Sequence, residues 1–341
     1  MNMKYEQLVA KALKNISNQR TRDIISLRFG LRDGQRQTLE AIGQKYNITR
    51  ERVRQIEEAA FSDLRESNLI GLFKPAFSSV DSFLNQEGKL AREERLLAHL
   101  TGFDAVHPDR GALVFILTMG QPYERFVESD RFYPLWSNAQ NSLNKADNLI
   151  IFLVKKLKQN KELASLDHIL DFSKETGLNL SKRVIASYLD ATKRIDQNNF
   201  GQFGLIEWSE INPRGAKDKA YIVFKKQAHP LHFREVTDLI NQANLGNSLA
   251  QPQTVHNELI KDERFVLVGR GTYALKEWGY QSGTVKEVIT QALKKQGPLT
   301  REQILDKVLE SRLVKSNTVL INLQNKKHFV KQSDNRYKLV K

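Results

Sequence analysis

Four stretches of this 341-residue chain repeat one order of features, and that repetition is the strongest constraint on what it folds into. Each stretch opens with an apolar helix and passes through a polar turn and a leucine into an amphipathic helix. A third helix and a short β-rich ending follow. The turn-to-helix junctions read GKLAREERLLAHL (88–100), KELASLDHILDF (161–172), HPLHFREVTDLI (229–240) and GPLTREQILDKV (297–308). Taking Trp136, Trp208, Trp278 and Leu339 as markers of the endings, the spacings are 72, 70 and 61 residues. In the third ending, Phe265, Val266, Leu267 and Val268 read as a strand, Gly269-Arg270-Gly271 as a turn, and Thr272 to Leu275 as the returning strand. Three helices closed by a hairpin make a winged helix. The fourth copy uses Ser333-Asp334-Asn335 as its turn, the first two are looser, and the second is the least regular. Residues 211–215 read as a linker. The expected fold is therefore mainly α with small β hairpins, an N-terminal helix-turn-helix domain followed by about four tandem winged-helix modules. Boundaries are expected at 1–75, 76–140, 141–219, 220–280 and 281–341.

Charge is distributed unevenly over these modules. The chain carries 53 basic and 39 acidic side chains, a net of +14, which favours polyanionic partners. By module the net charge is +5, −3, +3, +1 and +8. The acidic second module is expected to serve protein contact or spacing, because phosphate neutralisation supplies most DNA affinity. No cysteine is present, so disulfides and thiolate-bound zinc are excluded. The longest apolar runs, 112–117 and 149–154, are six residues each, core segments rather than membrane spans. The N-terminus has no signal-peptide block. A cytoplasmic, nucleoid-associated protein without membrane contact is expected.

The segment TLEAIGQKYNITRERVRQIEEAAFSDLR (38–65) meets strict physical demands. Thr38 suits the N-cap of a short helix ending at Tyr46. Ile42 faces inward, and Gly43 lets the next helix pass close by. Asn47 suits a left-handed turn position, Ile48 fills the corner, and Thr49 caps a second helix whose buried face carries Val53, Ile56 and Ala60. Arg50, Glu51, Arg54 and Gln55 are then left on the outer face, with Arg50 in the first turn that enters a major groove. Arg bridges guanine O6 and N7, while Gln or Glu meets adenine or cytosine edges. Arg54 reaches bases or phosphate. Thr38, Lys45, Thr49 and Arg52 are placed for phosphates, which position without specifying sequence.

Residues 22–65 resemble region four of the primary bacterial sigma factors, through the run LRFGL, a polar loop, TLE-x-IG and TRERVRQIE. The resemblance implies a helix-turn-helix that reads the upstream (−35) promoter element in double-stranded DNA, and docking on the β-subunit flap of RNA polymerase. It implies base contacts from Arg50, Glu51 and Gln55 with Arg54 nearby. Ile24, Ile25, Leu27 and Phe29 would form the core and part of the polymerase contact. The likeness covers about 44 residues. Nothing resembling the promoter-opening module of sigma factors precedes it, so the chain is not expected to melt DNA alone. Residues 229–240 and 254–278 are similar to the HARE-type winged helix, found in the δ subunit of some bacterial RNA polymerases and in DNA-modification and chromatin proteins. That similarity makes Arg234, Lys261, Arg264 and Arg270 candidates for a secondary DNA contact, with Arg270 at the wing tip.

Nothing in the sequence points to an enzyme, a cofactor, a metal or a small-molecule ligand. The seven histidines are scattered without metal-ligand spacing, and His229 and His232 read as structural. No phosphate loop or nucleophile elbow is present. Acidic pairs such as Glu93-Glu94 read as solvated helix faces. Three readings remain: a sequence-specific transcription regulator, an RNA polymerase accessory subunit of the δ kind with little sequence reading, and a non-specific DNA-binding protein carried by the basic C-terminal module.

Overall fold

The helices promised by the apolar periodicity all form. They fall into two units, residues 1–197 with 201–206, and residues 198–200 with 207–341. The computed structural model describes residues 3–66, 69–243, 245, 249–280 and 283–340. The fold is mainly α, with small antiparallel sheets of two or three strands.

The first unit begins with α1 (Tyr5–Leu13), α2 (Gln19–Phe29), α3 (Leu39–Tyr46) and α4 (Arg50–Glu66). After a short 3-10 turn come α5 (Lys74–Gln86), β1 (Leu90–Arg92), α6 (Glu93–Thr101), α7 (Pro108–Met119), β2 (Glu124–Phe126) and β3 (Leu135–Ser137). One core runs from Tyr5 in α1 to Trp136 in β3. Its centre is α7, which is apolar nearly all round and so must be enclosed. The Phe115 ring meets Phe29 of α2 edge-on at 5.4 Å and lies 5.2 Å from Phe61 of α4. The helices approach so closely that a Cβ at Gly111 would stand 1.9 Å from the Phe29 carbonyl oxygen. The boundary expected at 75/76 thus falls inside a continuous core, because α1, α2 and α4 bury one face against α7.

The repeat's leucine has a structural meaning that its spacing did not disclose: it opens a short strand that joins the hairpin. Leu90 pairs with Ser137, and the sheet order is β1-β3-β2. The next copy contains α8 (Ser142–Asn160), α9 (Leu166–Lys174), α10 (Lys182–Ala191), β4 (Ile195–Gln197) and β5 (Phe203–Leu205). There a single bridge between Ala164 and Phe203 replaces the first strand, which accounts for its irregular sequence. This copy docks on the preceding one through α10, where the Tyr188 hydroxyl donates to the Gly88 carbonyl (2.9 Å) and the Ser187 hydroxyl to the Leu90 carbonyl (3.2 Å).

The second unit holds two regular winged helices. The first has α11 (Gly215–Gln227), β6 (Leu231–His232), α12 (Phe233–Gln242), α13 (Pro252–Lys261), β7 (Phe265–Gly269) and β8 (Thr272–Leu275). Helix α11 starts at Gly215 rather than at 220, so the expected linker leads directly into it. The Asp218 carboxylate fixes that start by accepting from the Arg214 N–H at 2.8 Å. The second has α14 (Val285–Gln296), β9 (Leu299–Thr300), α15 (Arg301–Ser311), α16 (Ser316–Leu323), β10 (Phe329–Lys331) and β11 (Arg336–Leu339). Thr284 with Glu287, and Thr300 with Gln303, form capping boxes that set the starts of α14 and α15. The two modules meet at the outer edge of β7. The Leu313 N–H donates to the Val268 carbonyl (3.0 Å), and the buried Arg312 guanidinium donates to the Leu267 carbonyl (3.0 Å). Among the described residues, no helix is long and apolar enough to cross a membrane.

Candidate nucleic-acid interface

Local chemistry builds the helix-turn-helix. Thr38 Oγ1 accepts from the Ala41 N–H (3.1 Å) and starts α3; Thr49 Oγ1 accepts from the Arg52 N–H (3.1 Å) and starts α4. Between them Asn47 adopts φ 54°, ψ 48°, the left-handed conformation that asparagine tolerates. Gly43 is required by the corner itself: a Cβ there would lie 2.7 Å from the Ile48 carbonyl oxygen. Ile24, Ile42 and Val53 form a small sealed core, flanked by the half-buried Leu27, Tyr46, Ile48 and Ile56. Arg20 donates to the Tyr46 carbonyl (2.9 Å), and Arg28 bridges α2 to α4 through Glu57 (3.2 Å).

Every residue expected to touch DNA in this module is exposed: Thr38, Lys45, Thr49, Arg50, Glu51, Arg52, Arg54 and Gln55. Glu51 and Gln55 project from the side of α4 opposite the fully buried Val53, Arg54 lies on its flank, and Arg50 projects from the first turn. They are not equally available in the free protein. Arg54 spans two carboxylates, Glu51 at 2.7 Å and Glu58 one turn on, and its hydrogen bond holds the Glu51 carboxyl below the usual carboxylate range. Arg52 donates to the Gln55 side-chain oxygen (3.2 Å). Arg50 has no hydrogen-bond or ion-pair partner among the described residues. The outer face therefore offers one free guanidinium at the first turn, beside a carboxylate–guanidinium network that a polyanion can rearrange.

Ile24, Ile25, Leu27 and Phe29 form core, as expected, and leave little surface for a partner. Ile24, Ile25 and Phe29 are buried and Leu27 is half-buried, because α2 packs against α4 on one side and α7 on the other. Glu93 is a correction. It is not on a solvated face but is 9% exposed, and it receives Arg36 from the loop before α3 (3.1 Å), Arg125 from β2 (2.6 Å) and the Trp136 indole N–H (2.8 Å). Burial pushes its carboxyl up, but the Arg125 hydrogen bond, the two guanidinium charges and the indole together hold it below the ordinary glutamate range. Glu94, its neighbour, is exposed and pairs with Arg110 at 2.6 Å. Sequence reasoning missed Arg36 altogether, and its partner lies 57 residues away.

Part of the second module's acid is used inside the chain. Glu87, fully buried, sits 2.7 Å from Arg183 of α10 and 2.8 Å from Arg95, and Asp109 accepts from the Glu6 N–H (2.7 Å). This module contacts its neighbours on both sides through those carboxylates.

The four candidates in the third winged helix do not form one site. Arg234 lies in the first turn of α12, and the hairpin tip carrying Arg270 meets that end of the module, where the Phe233 N–H donates to the Gly271 carbonyl (2.9 Å). Lys261 and Arg264 lie at the base of the hairpin, beyond the length of β7, about 16 Å for five residues. Arg264 is withdrawn from any such role: it pairs with Asp262 (2.7 Å) and Asp218 (2.8 Å) and lies over the Tyr221 ring. Arg234, Lys261 and Arg270 are exposed. His232 caps α12, its Nδ1 accepting from the Arg234 N–H (3.4 Å), in keeping with a structural reading.

A Thr-capped pair of helices joined at a left-handed asparagine, with a polar outer face on the second, defines a helix-turn-helix module. Comparison with known proteins specifies it further. Residues 18–66 match the family "Sigma-70, region 4", and residues 216–278 match the HARE-HTH family, the helix-turn-helix domain named in part for ASXL and restriction endonuclease proteins. The N-terminal segment is 53% identical over 55 residues to RNA polymerase sigma factor SigA1 of Synechococcus elongatus, covering 16% of this chain and 14% of that protein. It is 50% identical over 64 residues to SigA of a Nostoc species (19% and 16% of the two chains) and 47% over 60 residues to SigA of Clostridium acetobutylicum (18% and 15%). The chain thus spans about a sixth of the length of these curated relatives. No solved structure matches it.

Proposed function

We propose that this chain is a DNA-binding transcription protein whose α4 reads a promoter-type element of the −35 kind in the major groove. The observation that carries the reading is the exposure of Arg50, Glu51, Arg54 and Gln55 on the first two turns of α4, in a module half-identical to sigma factors. Arg50 takes a guanine edge, Glu51 and Gln55 take cytosine or adenine edges, and Arg54 shifts from Glu51 to phosphate or base when DNA binds. Thr38, Lys45, Thr49 and Arg52 hold the backbone. The protein acts in initiation or its regulation, without catalysis of its own.

The test is binding of the full chain to labelled duplexes. Arg50→Ala is expected to cost about 1–3 kcal/mol on the preferred site and little on random DNA. Equal losses on both would remove base reading from the proposal. The proposal extends to RNA polymerase, which the relatives' names carry, with the β flap as the docking site that the sigma-factor resemblance implies. Because Ile25 and Phe29 are enclosed by α1 and α7, docking would use a different face of the module. Retention of the chain on immobilised core polymerase, without DNA, is the expected result; failure to bind would leave promoter reading as the sole activity.

A further inference from the structure

The last winged helix, which neither family match covers, presents a surface of one charge sign. From Ser311 to Ser333 the chain contains five basic residues and no acidic one. This run includes all of α16, the loop after it and the first strand of the wing. The module's acids lie elsewhere: Glu302, Asp306 and Glu310 on α15, Glu287 in the α14 capping box, and Asp334 at the wing turn, 3.7 Å from Arg336.

Packing explains why this surface faces outward. Val319 and Leu323 pin α16 to the core formed by Val288, Ile289, Ile304, Val308 and Phe329. The opposite face of α16 exposes Asn317, Thr318, Gln324 and the apolar Ile321, which is 61% exposed. On the wing, the period-two pleat turns Tyr337 and Leu339 inward and Arg336 and Lys338 outward. The side chains of Lys315, Lys326, Lys327, Lys331 and Lys338 are exposed and have no hydrogen-bond or ion-pair partner among the described residues. In the preceding module, by contrast, Arg264 and Lys225 are both neutralised by carboxylates.

We propose that this module is a second duplex-DNA site, with α16 in the major groove and the β10–β11 wing along the phosphate backbone. Unpaired lysines just before α16 (Lys315), in the loop after it (Lys326, Lys327) and on the adjoining hairpin (Lys331, Lys338) fit a polyanion with regularly spaced charges, whose released counterions supply the affinity. Asn317 matches an adenine edge and Ile321 a thymine methyl, so base preference is a minor part of the contact. This goes beyond the promoter-reading proposal and is tested separately from it, because it concerns different residues in a different unit.

The experiment uses the full chain carrying Lys45→Gln and Arg52→Gln, which removes two phosphate contacts of the first site and so weakens its hold on DNA of any sequence, and a fluorescein-labelled random-sequence DNA duplex titrated at several salt concentrations. Replacing Lys326, Lys331 and Lys338 together by Gln is expected to reduce the slope of log affinity against log salt by roughly 0.9 for each phosphate no longer neutralised. It should weaken binding at least tenfold at low salt. The charge-matched change of Lys286, Lys294 and Lys295 on α14 to Gln is expected to leave the slope nearly unchanged. Equal effects of the two triple variants would reduce the site to general electrostatics and overturn the proposal, as would no effect of the first. Tighter binding of a duplex RNA of the same sequence would overturn the assignment to DNA. Unaltered far-UV circular dichroism of both variants makes the comparison valid.

Discussion

Gly111→Ala is expected to destabilise the first unit by about 3 kcal/mol, the upper part of the range for overpacked cores. Most glycines tolerate a methyl when a flexible side chain is the obstacle. Here the obstacle is the Phe29 carbonyl oxygen, 1.9 Å from the added carbon, with the Phe29 and Gly30 backbone just behind it. Relief requires α2 and α7 to separate, which would undo the edge-on contact of Phe29 with Phe115. In urea unfolding, the transition reported by Trp136, which is buried in that core, should move to lower denaturant. At a typical slope of about 1–3 kcal/mol per molar the displacement is of the order of 1 M or more. An unshifted midpoint would contradict the close helix crossing.

Glu93→Ala is expected to cost a similar amount, about 3 kcal/mol, the lower end of what breaking a buried ion pair removes. The lower end applies because Arg36 and Arg125 keep side-chain exposures of 31% and 37% and recover some hydration. Replacing Glu93 by Leu together with Arg125 by Met should recover much of the loss, since an apolar pair avoids the stranded charge. Equal destabilisation by the single and the double change would argue that packing, not charge, sets the cost. A pH signature accompanies the prediction. The folded-state carboxyl lies below its ordinary value of 4.5, so its contribution is complete above that value and is lost as pH falls through the folded value. Acid unfolding of Glu93→Gln should lack that part of the pH dependence.

The parts of the molecule legible in the sequence are those set by neighbours within one or two helical turns. Thr38, Gly43, Asn47, Ile48 and Thr49 act on residues within about seven positions, and each occupies the place its chemistry demands. The hairpin of the third winged helix was legible for the same reason. Glu93 looked like a solvated residue because Arg125 and Arg36 are 32 and 57 positions distant. Arg264 looked free because Asp218 is 46 positions away. The repeat predicted the order of elements, but the enclosure of α7 by α1, α2 and α4 joins segments that the periodicity treats as separate. Of the candidate site, the exposure of Arg50, Glu51, Arg54 and Gln55 was legible, since Val53, Ile56 and Ala60 recur at helical spacing on the inward side.

Closure of the β7 edge has a consequence for the company this chain keeps. A hairpin with a bare outer strand invites a strand from another molecule, and the third winged helix would present such a template. The Leu313 amide and the Arg312 guanidinium already occupy the Val268 and Leu267 carbonyls. The final module thus doubles as a guard over this one strand, denying its carbonyls to a strand from a second copy.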